Sequence, residues 1–273
     1  MKNDNFGDRM KFYERLDGKQ FMPLLPVCVR IDGKTFSKWT KGLERPYDKR
    51  LVDLMVATTK HLVTETGALM GYTQSDEISL VFYSDDAKSQ IFFDGKMQKI
   101  ISVVASMTTA FFNSIVPEMI PEKSSRLALF DARAWQVPSL TEAANSFVWR
   151  EMDATRNSVS MAAQHYFSHK QLQKKNCNQM QDMLMLEKDV NWNDYPSFFK
   201  RGTYVQRKKI IRSFTAEELE VLPEKHEARL NPDLEVERTE VKVIDLPPIT
   251  TITNREAVIF YGEQPIKKGE TND

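Results

Sequence analysis

Leu69-Met70-Gly71-Tyr72-Thr73-Gln74-Ser75-Asp76-Glu77-Ile78-Ser79-Leu80-Val81-Phe82-Tyr83 is the stretch on which the fold turns. Two strand-like runs, Leu69 to Gln74 and Ile78 to Tyr83, flank Ser75-Asp76-Glu77, a connection of hairpin size that places both acids at its tip. Toward the N-terminus, Leu24 to Ile31 (LLPVCVRI) reads as a buried strand stopping at the Asp32-Gly33 turn. Between them Pro46 and Asp48 precede Leu51, Leu54, Met55, Thr58, Leu62 and Val63, whose spacing of three and four predicts one helical face, with Gly67 as the stop. Toward the C-terminus, a helical stretch from about Ser89 to Ile115 should end before Pro117, and Leu127 to Val137 reads as a further strand.

Strand, helix, hairpin, helix, strand is the β-α-β-β-α-β order. It predicts an α+β fold: a palm-like, ferredoxin-like antiparallel sheet with helices on one face. Residues 1–138 form the expected palm-like catalytic core. Residues 139–273 form a helical region, a basic strand and a C-terminal extension packing on that core. Pro138-Ser139 opens helix to about Lys174, Gln179 to Asp189 predicts a short helix, and Gly202 to Ile211 a strand. The tail from Thr215 is rich in Glu and Pro (Pro223, Pro232, Pro247, Pro248), and Arg255 to Tyr261 is again strand-like.

The 273 residues, 41% hydrophobic, suffice for a sizeable core and exclude a disordered tail protein. No run approaches the roughly 18–20 unbroken apolar residues of a bilayer span, and Met1 to Phe6 lacks the apolar core of a signal peptide. With two cysteines, Cys28 and Cys177, a disulfide framework or four-cysteine zinc site cannot be built, so a soluble, cytoplasmic protein is expected. Lys+Arg and Asp+Glu balance at 38 each. Lys200, Arg201, Arg207, Lys208, Lys209 and Arg212 nevertheless form a basic strip followed by a glutamate-rich one, which cancels in the total while leaving a local phosphate surface.

The chemistry gathers at Arg30-Ile31-Asp32-Gly33-Lys34-Thr35-Phe36-Ser37 and at Ser75-Asp76-Glu77, because this topology lays a strand end beside the hairpin. Paired aspartates on adjacent strands suit Mg²⁺, which takes carboxylate, carbonyl and phosphate oxygens. Gly33 permits close backbone approach, and Lys34 to Ser37 supply amides, a hydroxyl and an ammonium for a triphosphate. Metal-assisted nucleotidyl transfer needs no His or Cys nucleophile. His165 and His169 lack the His-Glu-x-x-His pattern of a zinc site.

These residues resemble the tRNA(His) guanylyltransferase superfamily of 3′–5′ reverse polymerases, closest to its bacterial-type guanylyltransferase-like branch. The resemblance runs through Phe6-Gly7-Asp8-Arg9-Met10-Lys11-Phe12-Tyr13-Glu14, Arg30 to Phe36, Arg45-Pro46-Tyr47-Asp48, Gln74 to Glu77, Phe130-Asp131-Ala132-Arg133, Trp149-Arg150 with Asp153 and Asn157, and Lys200-Arg201-Gly202-Thr203. It implies that Asp32 and Asp76, with the Gly33 carbonyl, ligate two Mg²⁺ ions, and that Glu77 tunes them. Asp32 to Ser37, Arg45, Ser75 and Asp76 would hold the nucleotide. Arg150, Asn157, Lys200, Arg201, Lys208 and Lys209 are the expected tRNA contacts. A 5′-monophosphorylated tRNA end would be activated with ATP or GTP and attacked by the 3′-hydroxyl of an incoming nucleotide, in a homotetramer built as a dimer of dimers. Thr155 stands where eukaryotic members carry a histidine linked with the histidine anticodon, which favours template-dependent repair of 5′-truncated tRNA over obligatory guanosine addition.

Two alternatives remain. A palm-type nucleotide cyclase would carry a Gly-Gly-Asp/Glu-Glu-Phe hairpin, absent here. A non-catalytic RNA-binding module would use the basic strip alone, and has no evident need for paired acids facing a polyanion.

Overall fold

Pro26 has no N–H to give a ladder, and the first strand starts after it: β1 spans Val27–Gly33, later than expected, and carries Asp32 and Gly33 inside the sheet. The computed structural model describes residues 5–16, 18–231 and 233–269; residues 1–4, at the start of the leader test, and Pro232 lie outside that set. Asn5–Leu16 forms α1 and Phe36–Trp39 the single turn α2. Helix α3 covers Lys49–Thr66, with the Asp48 carboxylate accepting from the Arg50 N–H at 3.0 Å at its start and Gly67 left-handed (φ 71°) at its end.

The hairpin is tighter than its sequence suggested. β2 is Met70–Gln74 and β3 is Glu77–Phe82, so the turn is Ser75-Asp76 alone, with Ser75 at φ 54°. Asp76 therefore occupies the tip while Glu77 belongs to the strand. Helix α4 is Met97–Met119. It starts later than expected, because Phe93 and Asp94 adopt positive φ in the preceding turn. It runs through Pro117, which removes one backbone bond near the end while the Ile120 N–H still closes on Val116. By length and composition α4 could cross a bilayer, yet its Ile100, Val104, Phe112 and Val116 are buried in the core.

β4 is Phe130–Gln136, followed by α5 (Leu140–Tyr166), α6 (His169–Leu172), α7 (Cys177–Lys188), α8 (Ser197–Arg201), β5 (Thr203–Ser213), α9 (Ala216–Val221), α10 (Glu227–Leu230) and β6 (Glu235–Ile244). The six strands form one antiparallel sheet in the order β4-β1-β3-β2-β5-β6. Val27, Val29 and Ile31 face α3 and α4, while Cys28, Val81, Met70 and Tyr72 face Ala143, Phe147 and Ala154 of α5. Helices thus cover both faces, correcting the one-face expectation: α5 is an addition to the β-α-β-β-α-β unit that seals its second face. Arg255 to Tyr261 is not a strand. Val258, Ile259 and Phe260 are buried in succession, and Ala257–Tyr261 makes a π-helical turn.

Candidate active site

The register of the sheet assembles the site. Asp131 of β4 pairs with Asp32 of β1, which pairs with Glu77 of β3, so three acids from three strands form a row on the α5 face. One step back along the strands, Arg133 pairs with Arg30 on the same face. The hairpin tip folds over the end of this row. The Gly33 N–H donates to the Asp76 carbonyl at 3.2 Å, and the Lys34 N–H to the Leu129 carbonyl at 2.8 Å, fastening the end of β1 to both neighbours.

Gly33 has a stricter role than leaving room for a ligand. A Cβ there would lie 2.5 Å from the Phe36 ring and 2.9 Å from Asp76 Oδ2, so the bare backbone is what lets the Asp76 carboxylate sit against β1. Burial pushes the Asp76 carboxyl above the ordinary aspartate range, and the negative charge of Asp32 adds to the rise, while the Ser75 hydroxyl, donating at 3.0 Å, opposes it. Asp32's nearest cation is Arg133 Nη2, at 4.0 Å and mostly exposed, and that guanidinium also lies 3.9 Å from Asp131. Two crowded carboxylates, short of a close cation and offering hard oxygen donors, suit a divalent cation. Among the described residues no cluster of three or more His, Cys, Asp or Glu forms a metal cage.

Glu77 is differently employed. Its two oxygens accept from Arg150 Nε at 2.5 Å and Nη2 at 2.7 Å, a bidentate clamp that turns the carboxylate toward α5. Burial still outweighs Arg150 and Arg30 and holds the Glu77 carboxyl above its usual range. Arg150 also reaches Asp153 at 3.0 Å, and its guanidinium lies 4.6 Å from the Trp149 ring centroid. Arg30 lies over the other side of the cluster, 5.7 Å from Trp149, and its buried Nε has no hydrogen-bond partner. Arg150 is therefore a clamp on Glu77 with little surface to offer tRNA.

The remaining expected residues divide. Lys34, Thr35 and Ser37 are exposed beside the acids, but Phe36 is not available to a nucleotide. Its ring stacks on Trp39 at 5.1 Å and meets Phe112 and Phe130 in the core, leaving its main chain alone to face a ligand. Arg45 is exposed on the loop before α3. Asn157 reaches Asp153 at 3.5 Å, Lys200 donates to the Asn193 carbonyl, and Arg201 to Leu246 at 3.5 Å. Lys208 donates to the Gly262 carbonyl at 2.9 Å, and Lys209 pairs with Glu237 at 2.9 Å. The acidic tail segment folds back as β6 directly beside the basic β5, so much of the strip is neutralised by its own neighbour. Sequence reasoning quoted Arg30, Asp131 and Arg133 within motifs but gave none of them a role in the site. Their signal was Arg30-x-Asp32 and Asp131-x-Arg133, period-two pairs that put each charge on one face.

Comparison with known proteins bears on the family of the chain. The tRNAHis guanylyltransferase family model, Thg1, matches residues 7–138. The tRNA(His) guanylyltransferase of Saccharomyces cerevisiae is 28% identical over 225 residues, covering 76% of this chain and 92% of that one. The uncharacterized protein R259 of Acanthamoeba polyphaga mimivirus is 32% identical over 230 residues, covering 76% and 79%. Among solved structures, a bacterial tRNA(His) guanylyltransferase (Thg1)-like protein in complex with ATP superposes with a TM-score of 0.70 at 46% identity, covering 74% of this chain and 86% of that one. One in complex with GTP has a TM-score of 0.70 at 35% identity, covering 90% and 94%.

Proposed function

This chain belongs to the tRNA(His) guanylyltransferase superfamily and is a nucleotidyltransferase of tRNA processing, and from that premise we propose that it extends tRNA 5′ ends in the 3′–5′ direction, repairing 5′-truncated tRNA against its own template. The seating of the hairpin-tip Asp76 against the end of β1 at Gly33, next to Asp32, carries the reading. A fold gains nothing from a buried aspartate held beside another, and nucleotidyl transfer needs that negative pair.

In this reading Asp32 and Asp76, with the Gly33 carbonyl, hold two Mg²⁺ ions, which when bound neutralise triphosphate charge and favour the ionised form of an attacking hydroxyl. Lys34, Thr35 and Ser37, exposed beside the acids, and Ser75 at the tip orient phosphate oxygens. Arg150 opposes the burial that raises the Glu77 carboxyl and turns it toward α5, so that Glu77 shapes the field at Asp32 without competing for ligands. The 5′-phosphate of the tRNA attacks the α-phosphate of ATP or GTP with loss of pyrophosphate, and the 3′-hydroxyl of the incoming nucleotide then attacks the capped 5′-phosphate, releasing AMP or GMP; where the acceptor end is already a triphosphate, pyrophosphate leaves instead. Thr155, whose hydroxyl is turned back onto the Glu151 carbonyl at 2.9 Å, offers no imidazole to an anticodon base, which supports repair over obligatory guanosine addition. The setting is the cytoplasm, and the assembly a homotetramer.

The test incubates the protein with Mg²⁺, ATP, all four NTPs and a 5′-monophosphorylated tRNA lacking its first nucleotide, beside full-length tRNA(His) and an Asp76→Ala control. Template-matched extension that vanishes in the control supports the reading, and preference for the truncated tRNA supports repair. No extension of either RNA refutes it.

A further inference from the structure

On the α5 face of the sheet, one residue pair behind the acid row, two arginines stand directly opposite each other: Arg30 of β1 pairs in register with Arg133 of β4. Like charges in that position work against strand pairing. The Arg133 side chain is 59% exposed, and its nearest carboxylates, Asp32 at 4.0 Å and Asp131 at 3.9 Å, lie beyond hydrogen-bond reach. Arg30 is largely buried, yet its guanidinium donates no hydrogen bond to any described residue, and its Nε is shut off from solvent without a partner. Glu77 Oε2 is 3.9 Å from that Nε and already accepts from Arg150 at 2.7 Å. A buried donor left unpaired costs stability unless something outside the chain accepts from its group.

Helix α5 adds an aromatic wall. Its Ser146 meets Cys28 of β1, oxygen to sulfur 3.6 Å, and about one turn on, the Trp149 ring centroid lies 5.7 Å from the Arg30 guanidinium. Arg150 lies 4.6 Å from the same ring but is spent on Glu77. Phe147, Tyr72 and Tyr204 on this face are buried, whereas Trp149 stays exposed. An exposed indole beside guanidinium groups offers a π-face on which any base can stack. β1 thus carries phosphate-binding groups on both sides of Asp32. Lys34, Thr35 and Ser37 lie past the end of the strand, and Arg30 lies two residues back, about 7 Å along it. In the reaction proposed above one 5′-phosphate reacts twice, first with the activating nucleotide and then with the incoming 3′-hydroxyl. It needs a seat that holds while the nucleotide seat empties and refills.

We infer that Arg30 and Arg133 hold the 5′-phosphate of the acceptor tRNA while its terminal base stacks on Trp149. The inference rests on the proposed function and deepens it by giving the acceptor end a seat behind the acid row, separate from that of the nucleotide. A free nucleotide carries the same chemistry, a nucleoside 5′-phosphate. The acceptor end is favoured because the exposed groups for the nucleotide, Lys34, Thr35 and Ser37, lie on the far side of Asp32.

The test compares, by fluorescence anisotropy in Mg²⁺ without NTPs, the binding of one 5′-truncated tRNA carrying either a 5′-monophosphate or a 5′-hydroxyl. Wild type is expected to bind the monophosphate at least about tenfold more tightly, the scale of charge-assisted hydrogen bonds to one phosphate. Arg133→Gln, a change at an exposed side chain, should cut that ratio by at least about threefold, with Tm, GTP affinity and affinity for the 5′-hydroxyl tRNA as in wild type. Arg30→Lys, which keeps the charge and loses the fork, should cut it as well. Trp149→Ala should weaken binding of both tRNAs about tenfold, and Trp149→Phe should restore most of it. A ratio unmoved by both arginine variants overturns the inference, as does unchanged binding by Trp149→Ala. So does a fall in GTP affinity in Arg133→Gln, which would assign the seat to free nucleotide. If wild type reads the 5′-phosphate through Arg133 yet extends no end, the proposed function fails and this seat stands. If wild type extends ends while the ratio ignores Arg133 and Arg30, the function stands and the seat fails.

Discussion

The two ends of the charge distribution are built on opposite rules. In the acid row, Asp131, Asp32 and Glu77 stand side by side with Asp76 folded over them, and among the described residues Asp76 has no cation of its own. On the β5–β6 ribbon most charges have an opposite neighbour: Lys209 with Glu237, Lys242 with Glu240, and Glu218 of α9 bridging Arg212 and Arg238. Their carboxyls respond in opposite directions: Asp76 is pushed up by burial and by the negative charge of Asp32, whereas Glu218 is drawn well below the usual range by Arg212 and the Thr215 N–H. Pairing is what a chain does with charge when only solubility and folding are at stake. In the proposed function Asp76, the member of the group with no ion pair among the described residues, is the charge kept for an external cation.

The sharpest way to break this contrast is Asp76→Asn, which removes the repulsion with hardly a change of shape. We expect 5′ extension to fall by at least roughly 10²–10³-fold, the scale of losing one electrostatic contact to a transition state. Stability in metal-free buffer should hold or rise, because a like charge has gone. Addition of Mg²⁺ should raise the Tm of wild type and leave the variant unmoved. A variant that stays active, or that unfolds, would place Asp76 among the structural acids.

Within the acid row itself, Glu77 is the member that follows the ribbon's rule, and Arg150→Ala turns it into an orphan. Both side chains of that pair are nearly buried, 12% and 13% exposed, so losing one partner should cost about 3 kcal/mol in urea unfolding. Arg150→Met with Glu77→Gln should recover much of the loss, since no buried charge then remains. A smaller effect is expected from Gly33→Ala. The new methyl must displace the Phe36 ring or the Asp76 carboxylate, and about 1–3 kcal/mol of overpacking follows, with nucleotide affinity falling alongside.

How much of this was legible beforehand depended on the range of the signal. The hairpin, β1 and α3 announce themselves through local patterns: alternation, an Asp48 cap, a Gly67 stop. The convergence of Asp32 with Asp76 followed from topology alone. The sealing of the second face by α5 was hidden, because an amphipathic helix does not say which sheet face it will cover. The π-helical turn was misread as a strand since Val258-Ile259-Phe260 has strand composition, and only its backbone path tells otherwise. Phe36 was misassigned because a motif position names a residue, and the direction of its ring is set by Trp39, Phe112 and Phe130, distant in sequence. β6 was invisible: Glu235 to Ile244 reads as an acidic tail until Lys208 and Arg212 give it a partner strand.

The ribbon half of the comparison is sharpened by the smallest effect, and its sign is fixed. Glu218 caps α9 through Thr215 and takes both Arg212 amino groups, at 2.7 and 2.9 Å. Its folded carboxyl lies below the ordinary value of 4.5, so its pairing stabilises the fold above about pH 4.5 and is lost as pH falls. Glu218→Gln should therefore lower Tm slightly at pH 7, with the deficit narrowing below pH 4.5 and shrinking in high salt, since the groups are solvated. Asp76→Asn in metal-free buffer carries the reverse sign: its carboxyl is raised when folded, so wild type gains on the variant as pH falls. Tm profiles of the two variants against wild type should converge toward acid from opposite sides. Profiles that ran parallel would mean that the acid row and the ribbon handle charge alike, and the case for a cation held by Asp32 and Asp76 would lose its physical basis.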